Sequence, residues 1–543
     1  MILVLLAVFV FGTRYATDDD IAMARIAYGI FFEPQNRLVF TCTAFGSMLK
    51  ALSGFIDGIN WQLILYYISL LYGGIVSFYY VLKKEKRFLT VLWLLVVTAF
   101  YYSTYIDINF SVITSMLTFF GYVTLFIGAY SKDKKPIILS IVILSFAMII
   151  RYESFFALSL FAFFAFLLIF VKAVKKDGFT LAGKQYIFSF VVSLCIPMCL
   201  LIVDRVSYKN ETWSKYIEYN DNRSQILDFQ SVLQYEDQSY FEALGLSEAM
   251  VESLDKWQFN DTDVFSEQLI SKLADDSRKY NPALTTDFIF EALGYSVEKI
   301  CKIYYFAFGI IFLAVITIKK SKDKIGNISV FALPWIMIIP LVVEVSFYYF
   351  LNRGIDRVFR TTGLGFWCAM MVLLCCDYFE DNDESLFEKK WILYVTMSIM
   401  FIGICCQIGK LKDVRGFHLV DTDIVSEKLA FLEDGRIYMC DIDSVLAVED
   451  AYGVWQVPPK GSMRNCIELG GWMVNYPTVK DKQEQLGVIN PYKSLISNNN
   501  VYLLTTEDGK TQLEFLRSAY DKNIESELIE KHGDLSVYKY VER

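Results

Sequence analysis

Lys83-Lys84-Glu85-Lys86-Arg87 separates two uncharged apolar runs, at 61–82 and 88–103, and its reading decides the fold. Four positive charges between two such runs mark an inner-side turn between membrane spans, because short cytoplasmic connections retain lysine and arginine. Working outward, further apolar runs occur at about 1–13, 108–130, 136–150, 154–171, 185–203, 301–318, 328–350, 361–376 and 391–408. Several fall a little short of the roughly 20 residues a straight span needs. The first is the shortest and lacks the basic start and small-residue cleavage site of a signal peptide. It reads as a first helix supported by neighbours or continuing upstream.

Basic connections at Lys132 to Lys135, Lys172 to Lys184 and Lys319 to Lys324 alternate with connections nearly free of lysine. Alternation also puts 377–390, with Lys389 and Lys390, on the inner side. The expectation is an α-helical polytopic membrane protein of about eleven transmembrane helices (1–408), located in the cell membrane. Segments 14–60, 101–107, 204–300, 351–360 and the tail after 408 then lie outside. Segment 351–360 is the exception to the charge pattern, with Arg353, Arg357 and Arg360 on the outer side.

Composition agrees with this. Of 543 residues, 55% are hydrophobic and 16% aromatic, with 20% charged. A water-soluble fold of this length cannot bury that much apolar surface. The net charge of -9 argues against a nucleic-acid partner. Both histidines, His418 and His532, come late, so neither a histidine-built zinc site nor a Ser-His-Asp relay can form in the membrane region. Acid–base chemistry there falls to Asp, Glu, Tyr or Lys.

Outside the spans, 38–56 is apolar but broken by Gly, Ser, Thr and Lys50, and reads as a helix lying in the interface. The 204–300 loop has helical spacing, with Ser247 as a cap before Met250, Val251 and Leu254. The tail, 409–543, reads as a small extracytoplasmic α/β domain. Its strands are expected at Arg436–Cys440 and Asn500–Leu504, helices at 481–486 and 510–520, and a turn at Glu507-Asp-Gly509. Most of the eleven cysteines sit in apolar runs as small hydrophobes. Cys440 and Cys466 share the tail and could pair there.

Several constellations could carry chemistry, each with a plainer reading beside it. Asp18, Asp19 and Asp20 in Thr17-Asp-Asp-Asp-Ile-Ala-Met23 suit a helix N-terminus, and equally a general base with a supporting carboxylate. Arg353, Arg357 and Arg360 could snorkel, or could grip a lipid phosphate. Arg151 and Glu153 form a turn that could add a cation and a second acid. Asp107 is a further outward carboxylate. Trp213 and Arg223, in Trp213-Ser-Lys-Tyr-Ile-Glu-Tyr-Asn-Asp-Asn-Arg-Ser224, could stack on and bond a sugar, or pack helices onto the membrane rim.

An acidic pair after the first span, many further spans and an outer soluble tail resemble the GT-C superfamily of membrane glycosyltransferases. More narrowly, the chain is similar to a group of multi-pass proteins of Gram-positive bacteria. The shared features are Asp-Asp after the first span, Asn60-Trp61 at the start of the second, the Trp213-to-Ser224 pattern, and Gly470-Gly-Trp472. The resemblance implies transfer of a sugar from a polyprenyl-phosphate-linked donor to a glycan, lipid or protein acceptor, assisted by Asp19 or Asp20 with Asp18 in support. No cofactor is expected, since arginine can carry the leaving phosphate's charge. The chain departs from better-known subfamilies in lacking an Asp-Glu pair and outer-loop histidines. A flippase for a lipid-linked glycan, or an envelope-assembly scaffold, is the alternative.

Overall fold

The computed structural model describes residues 12–177, 181–282, 285–302, 308–311, 313–314, 333–350, 355–379, 390–408, 419–520 and 523–543. The expected spans at 1–13 and 301–318 lie largely outside these residues, as does Arg353. The chain is mostly helical, and a five-stranded sheet forms in its tail.

Helices α1 (Asp18–Tyr28) and α2 (Thr43–Phe55) precede the apolar helices α3 (Trp61–Leu82), α4 (Arg87–Ala99), α5 (Phe110–Ser131), α6 (Lys134–Ile150), α7 (Tyr152–Asp177) and α8 (Leu181–Ser207). Four stretches are long and apolar enough to cross a membrane: Trp61–Leu82, Phe110–Ser131, Tyr152–Val174 and Tyr186–Ser207. The other apolar runs among the described residues form shorter apolar helices, such as Arg87–Ala99, Thr361–Cys375 and Lys390–Ile402.

Local signals set the helix boundaries. The Asn60 and Asn109 side chains accept from Leu63 N at 3.2 Å and Ser111 N at 2.8 Å, satisfying free amides at the starts of α3 and α5. Helix α5 is central, touching α3, α6, α7, α8 and the Ile355–Cys375 helix. Gly121 permits its approach to α6, since a Cβ there would meet Leu144 at 2.6 Å.

The two ends of the bundle differ in chemistry. At one end Lys84 and Lys86 pair with Asp377 at 3.2 and 2.7 Å, and Lys172 donates to the Asp377 carbonyl at 3.0 Å. Two basic connections expected on one side are thus drawn together by one acidic turn. At the other end lie the 14–60 segment, the Arg151 turn and the loop after α8. With 13 residues, α2 is too short to span a bilayer. Its first turn is held by Asp204, whose carboxylate accepts from Thr43 N at 2.7 Å, while Met48, Phe55 and Ile56 stay exposed. The segment read as interfacial thus contains a short helix with an exposed apolar edge.

In the tail, strands β3 (Ile437–Cys440), β4 (Cys466–Glu468), β5 (Val501–Thr505), β6 (Ile524–His532) and β7 (Leu535–Glu542) order as β4-β3-β5-β7-β6. The first three run parallel and β5, β7 and β6 antiparallel. Every residue of β3 is buried, as a parallel strand covered on both faces requires. Helices Pro477–Gln485 and Lys510–Ala519 occupy the two stretches expected to be helical. Cys440 and Cys466 are free thiols, both buried on one face of the β3–β4 pair.

The 204–300 loop forms helix α9 (Glu211–Leu227), then Glu248–Asp255 with Ser247 as its cap, then Glu267–Ser277. It docks on the tail rather than lying free. Asn260 N donates to the Leu469 carbonyl at 2.8 Å, Asn490 Nδ2 to Asp261 at 3.0 Å, and Tyr216 Oη to the Trp472 carbonyl at 2.8 Å. The 14–60 segment joins the same unit through Gly461 N to Gly29 O at 3.0 Å, Met463 N to Ile30 O at 3.2 Å and Asn60 N to Trp455 O at 3.1 Å.

Candidate functional site

The acidic triplet forms the first turn of α1, where carboxylates complement the helix dipole. Its three members have different surroundings. Asp18 faces solvent, Asp19 is half-buried and Asp20 is fully buried.

Asp20 is held from several elements. One carboxylate oxygen accepts from Tyr66 Oη at 3.0 Å and Gln62 Nε2 at 3.1 Å, both from α3. The other accepts from Thr17 Oγ1 at 3.1 Å and from Phe110 N, at the start of α5, at 3.4 Å. Burial is the largest influence on its acidity and pushes the pKa up to about 7, against the Tyr66 hydrogen bond, with the Asp19 charge adding to the rise. Asp20 therefore fastens α1 into the bundle. Asp19 stands beside it with a route to solvent.

Phe110 links this carboxylate to the expected Arg151–Glu153 pair. Its amide faces Asp20, and its ring lies under the Arg151 guanidinium at 4.9 Å. Arg151 also donates to the Phe40 carbonyl at 3.1 Å and pairs with Glu153 at 3.0 Å. Glu153, with 42% of its side chain exposed, leaves that end of the pair open. Next to it, exposed Arg205 donates to Tyr152 Oη at 2.7 Å and lies over the Tyr152 ring. The triplet, Arg151, Glu153 and Arg205 thus share one end of the bundle. Arg205 was not singled out in the sequence, where it reads as an ordinary helix-end cation.

The other expected residues divide. Asp107 pairs with Arg14 at 2.9 Å where β1 (Arg14–Tyr15) and β2 (Asp107–Ile108) form a two-residue parallel ladder. It braces the chain just ahead of the triplet. Trp213 is packed among Tyr208, Tyr216 and Tyr476, with Arg37 over its ring at 5.1 Å. Arg223 is buried, with Asn220 accepting from it at 3.0 Å, the Asp228 carboxylate an ion-pair partner at 3.4 Å, and the Trp257 ring beneath it. Trp213 sits inside the contact between loop and tail and Arg223 is buried within the loop, so neither is on an open face. Arg357 and Arg360 belong to the Ile355–Cys375 helix, and Arg353 precedes the described part of it.

A cluster that sequence reading missed lies at the far end of α1. Buried Arg25 donates to Glu468 on β4 at 3.0 Å and lies 3.4 Å from Glu449 on the Ile442–Tyr452 helix. Lys482 is buried beside them, donating to the Met463 carbonyl at 3.2 Å. Burial pushes Glu449 up to about 7 and raises Glu468, with Arg25 opposing in both, and lowers Lys482 to about 8. A cavity of about 10 Å³ adjoins Glu468 and Lys482. That is the size of one water, so it is no substrate pocket. No sequence signal marks this cluster, because Arg25 lies more than four hundred residues before Glu449, Glu468 and Lys482.

Among the described residues, no three His, Cys, Asp or Glu side chains converge where a metal ion could sit. No protein-family model matches the chain, and neither does any curated protein or any solved structure.

Proposed function

We propose that the protein is a membrane glycosyltransferase of about eleven spans that moves a sugar from a polyprenyl-phosphate-linked donor to a glycan, lipid or protein acceptor at the outer membrane face. The observation that carries this reading is the division of labour in the triplet. Asp20 is buried as an anchor, Asp19 is half-buried beside it, and Arg151, Glu153 and Arg205 lie at the same bundle end. A carboxylate at such a rim suits a general base for an acceptor hydroxyl, and nearby guanidinium groups suit the charge left on a lipid phosphate. Arg357 and Arg360 are further candidates for that phosphate. Loop 204–300 and the tail, packed together, would roof the site from outside.

In this reading Asp19 removes the hydroxyl proton as the oxygen attacks the anomeric carbon. The sugar–phosphate bond breaks, its electron pair stays on the phosphate oxygen, and the polyprenyl phosphate leaves as an anion paired with arginine. The test uses the full chain in lipid nanodiscs with labelled polyprenyl-phosphate hexoses and pentoses. Asp19→Asn should abolish transfer while donor binding persists. Full activity in Asp19→Asn would reject the assignment.

A further inference from the structure

Helix α1 is fastened at both ends, by Asp20 to the bundle and by Arg25 to the tail. The two positions are five residues apart on an 11-residue helix, so a shift at one end moves the other. The tail end is stitched by the Gly461–Gly29 and Met463–Ile30 backbone bonds as well as by Arg25. Arg464 and Lys460 also reach Glu33, at 3.0 and 3.5 Å, but those pairs are exposed and contribute little. The Arg25 cluster is different in kind. Its side chains are nearly fully excluded from water, with Arg25 at 4%, Glu449 at 9% and Glu468 at 11% exposure.

A buried charge set adds little net stability over an apolar one, yet removing one member is costly and its geometry is restrictive. Two carboxylates from different tail elements converge on a single guanidinium, whose planar fork fixes direction as well as distance. The Phe31 ring lies between the two, with Arg25 over it at 5.2 Å from α1 and Lys482 at 4.9 Å from the tail side. Arg25 Nε and Glu449 Oε1 are buried without a well-aligned hydrogen bond, so the second carboxylate acts through charge alone.

We infer that Arg25 is a positioning residue through which Glu449 and Glu468 of the tail set the placement of the acidic triplet. The tail is then a working part of the site, not an appended module. This rests on the glycosyl-transfer reading for its effect on turnover, but the clamp itself can be read independently. Cys440 and Cys466 face the same interface, fully buried, and report its closure.

The experiment takes the full chain in nanodiscs with a polyprenyl-phosphate sugar, and maps maleimide labelling of each cysteine by peptide mass spectrometry. Arg25→Met should lower kcat at least tenfold with KM for the donor within twofold, and should expose Cys440 and Cys466. Arg25→Lys should recover much of both. Adding Glu468→Gln to Arg25→Met should cause no further loss, because both changes release one clamp. Should Arg25→Met fail to fold, Arg25→Met/Glu449→Gln/Glu468→Gln removes the buried charges together and is read the same way. Near-native kcat with both thiols protected overturns the inference, as does independent multiplication of the Arg25 and Glu468 losses. If the unaltered chain transfers no sugar, the proposed function fails while labelling still decides the clamp. Protected thiols in Arg25→Met would then overturn it and labelled thiols would uphold it.

Discussion

Replacing Gly470 by alanine tests whether loop and tail are one unit. A Cβ at this position would sit 1.5 Å from the Trp257 carbonyl oxygen and 2.6 Å from its carbonyl carbon. Real Cβ contacts do not fall below 3.0 Å, so the two backbones must part by at least the difference, 1.5 Å. The obstacle is main chain, and Trp257 is already in the left-handed region at φ 64 with its ring pinned by Arg223. Separation breaks Asn260 N to Leu469 O, 2.8 Å, and Gly471 N to Trp257 O, 3.2 Å. Two such bonds are worth about 1–3 kcal/mol each when left unmet, and overpacking adds about 1–3. The expected loss is about 6 kcal/mol, or a fall in melting temperature on the order of 20 °C for a unit this size. Thermal unfolding of the purified chain, with proteolysis of the 204–300 loop, provides the measurement. Gly54→Ala is the control, since a Cβ there meets nothing within 4 Å. A Gly470→Ala protein that melts within about 2 °C of the original and resists protease equally would refute the close approach.

Two further outcomes follow from the same geometry. Asp20 and Glu449 have folded pKa values raised to about 7 from 3.8 and 4.5, so each favours folding below its unfolded value and loses that contribution as pH rises through 7. For Asp20 the shift of 7 − 3.8 is worth about 4 kcal/mol, so unfolding free energy should fall between about pH 4 and 7, and Asp20→Asn should flatten that share of the slope. A profile identical in both proteins would contradict it. Tyr66→Phe removes one of the donors to Asp20 and leaves Gln62, Thr17 and Phe110, so it should cost about 1–2 kcal/mol by chemical denaturation. A neutral result would show that the Tyr66 bond is not formed.

Much of the architecture was legible because it rests on local chemistry. The lysine connections predicted which helix ends share a side, and Lys84, Lys86 and Lys172 do gather on one acidic turn. Ser247 and the strands near 437–440 and 501–505 follow from capping and β-branched or aromatic runs, whereas the cap role of Asn60 was not read from the sequence. Asn60 also shows what such reading omits. Its amide nitrogen donates to Tyr15 Oη at 2.9 Å and to the Val454 carbonyl at 2.8 Å, so one side chain caps a helix and binds the tail. The Trp213-to-Ser224 pattern likewise carries its aromatics at helical spacing because one face of α9 is buried against the tail.

The sequence by itself determined that this is a chain of apolar helices with an acidic N-terminal turn, a helical loop and a small α/β tail, because periodicity and charge act over a few residues. Only the tertiary structure decided that Asp20 is a buried anchor while Asp19 is half-buried, and that Gly470 exists to let Trp257 pass. It also joined Arg25 to Glu449 and Glu468 more than four hundred residues away. Burial and pairing are properties of neighbours in space, and a carboxylate's chemistry depends on which donors and how much water surround it.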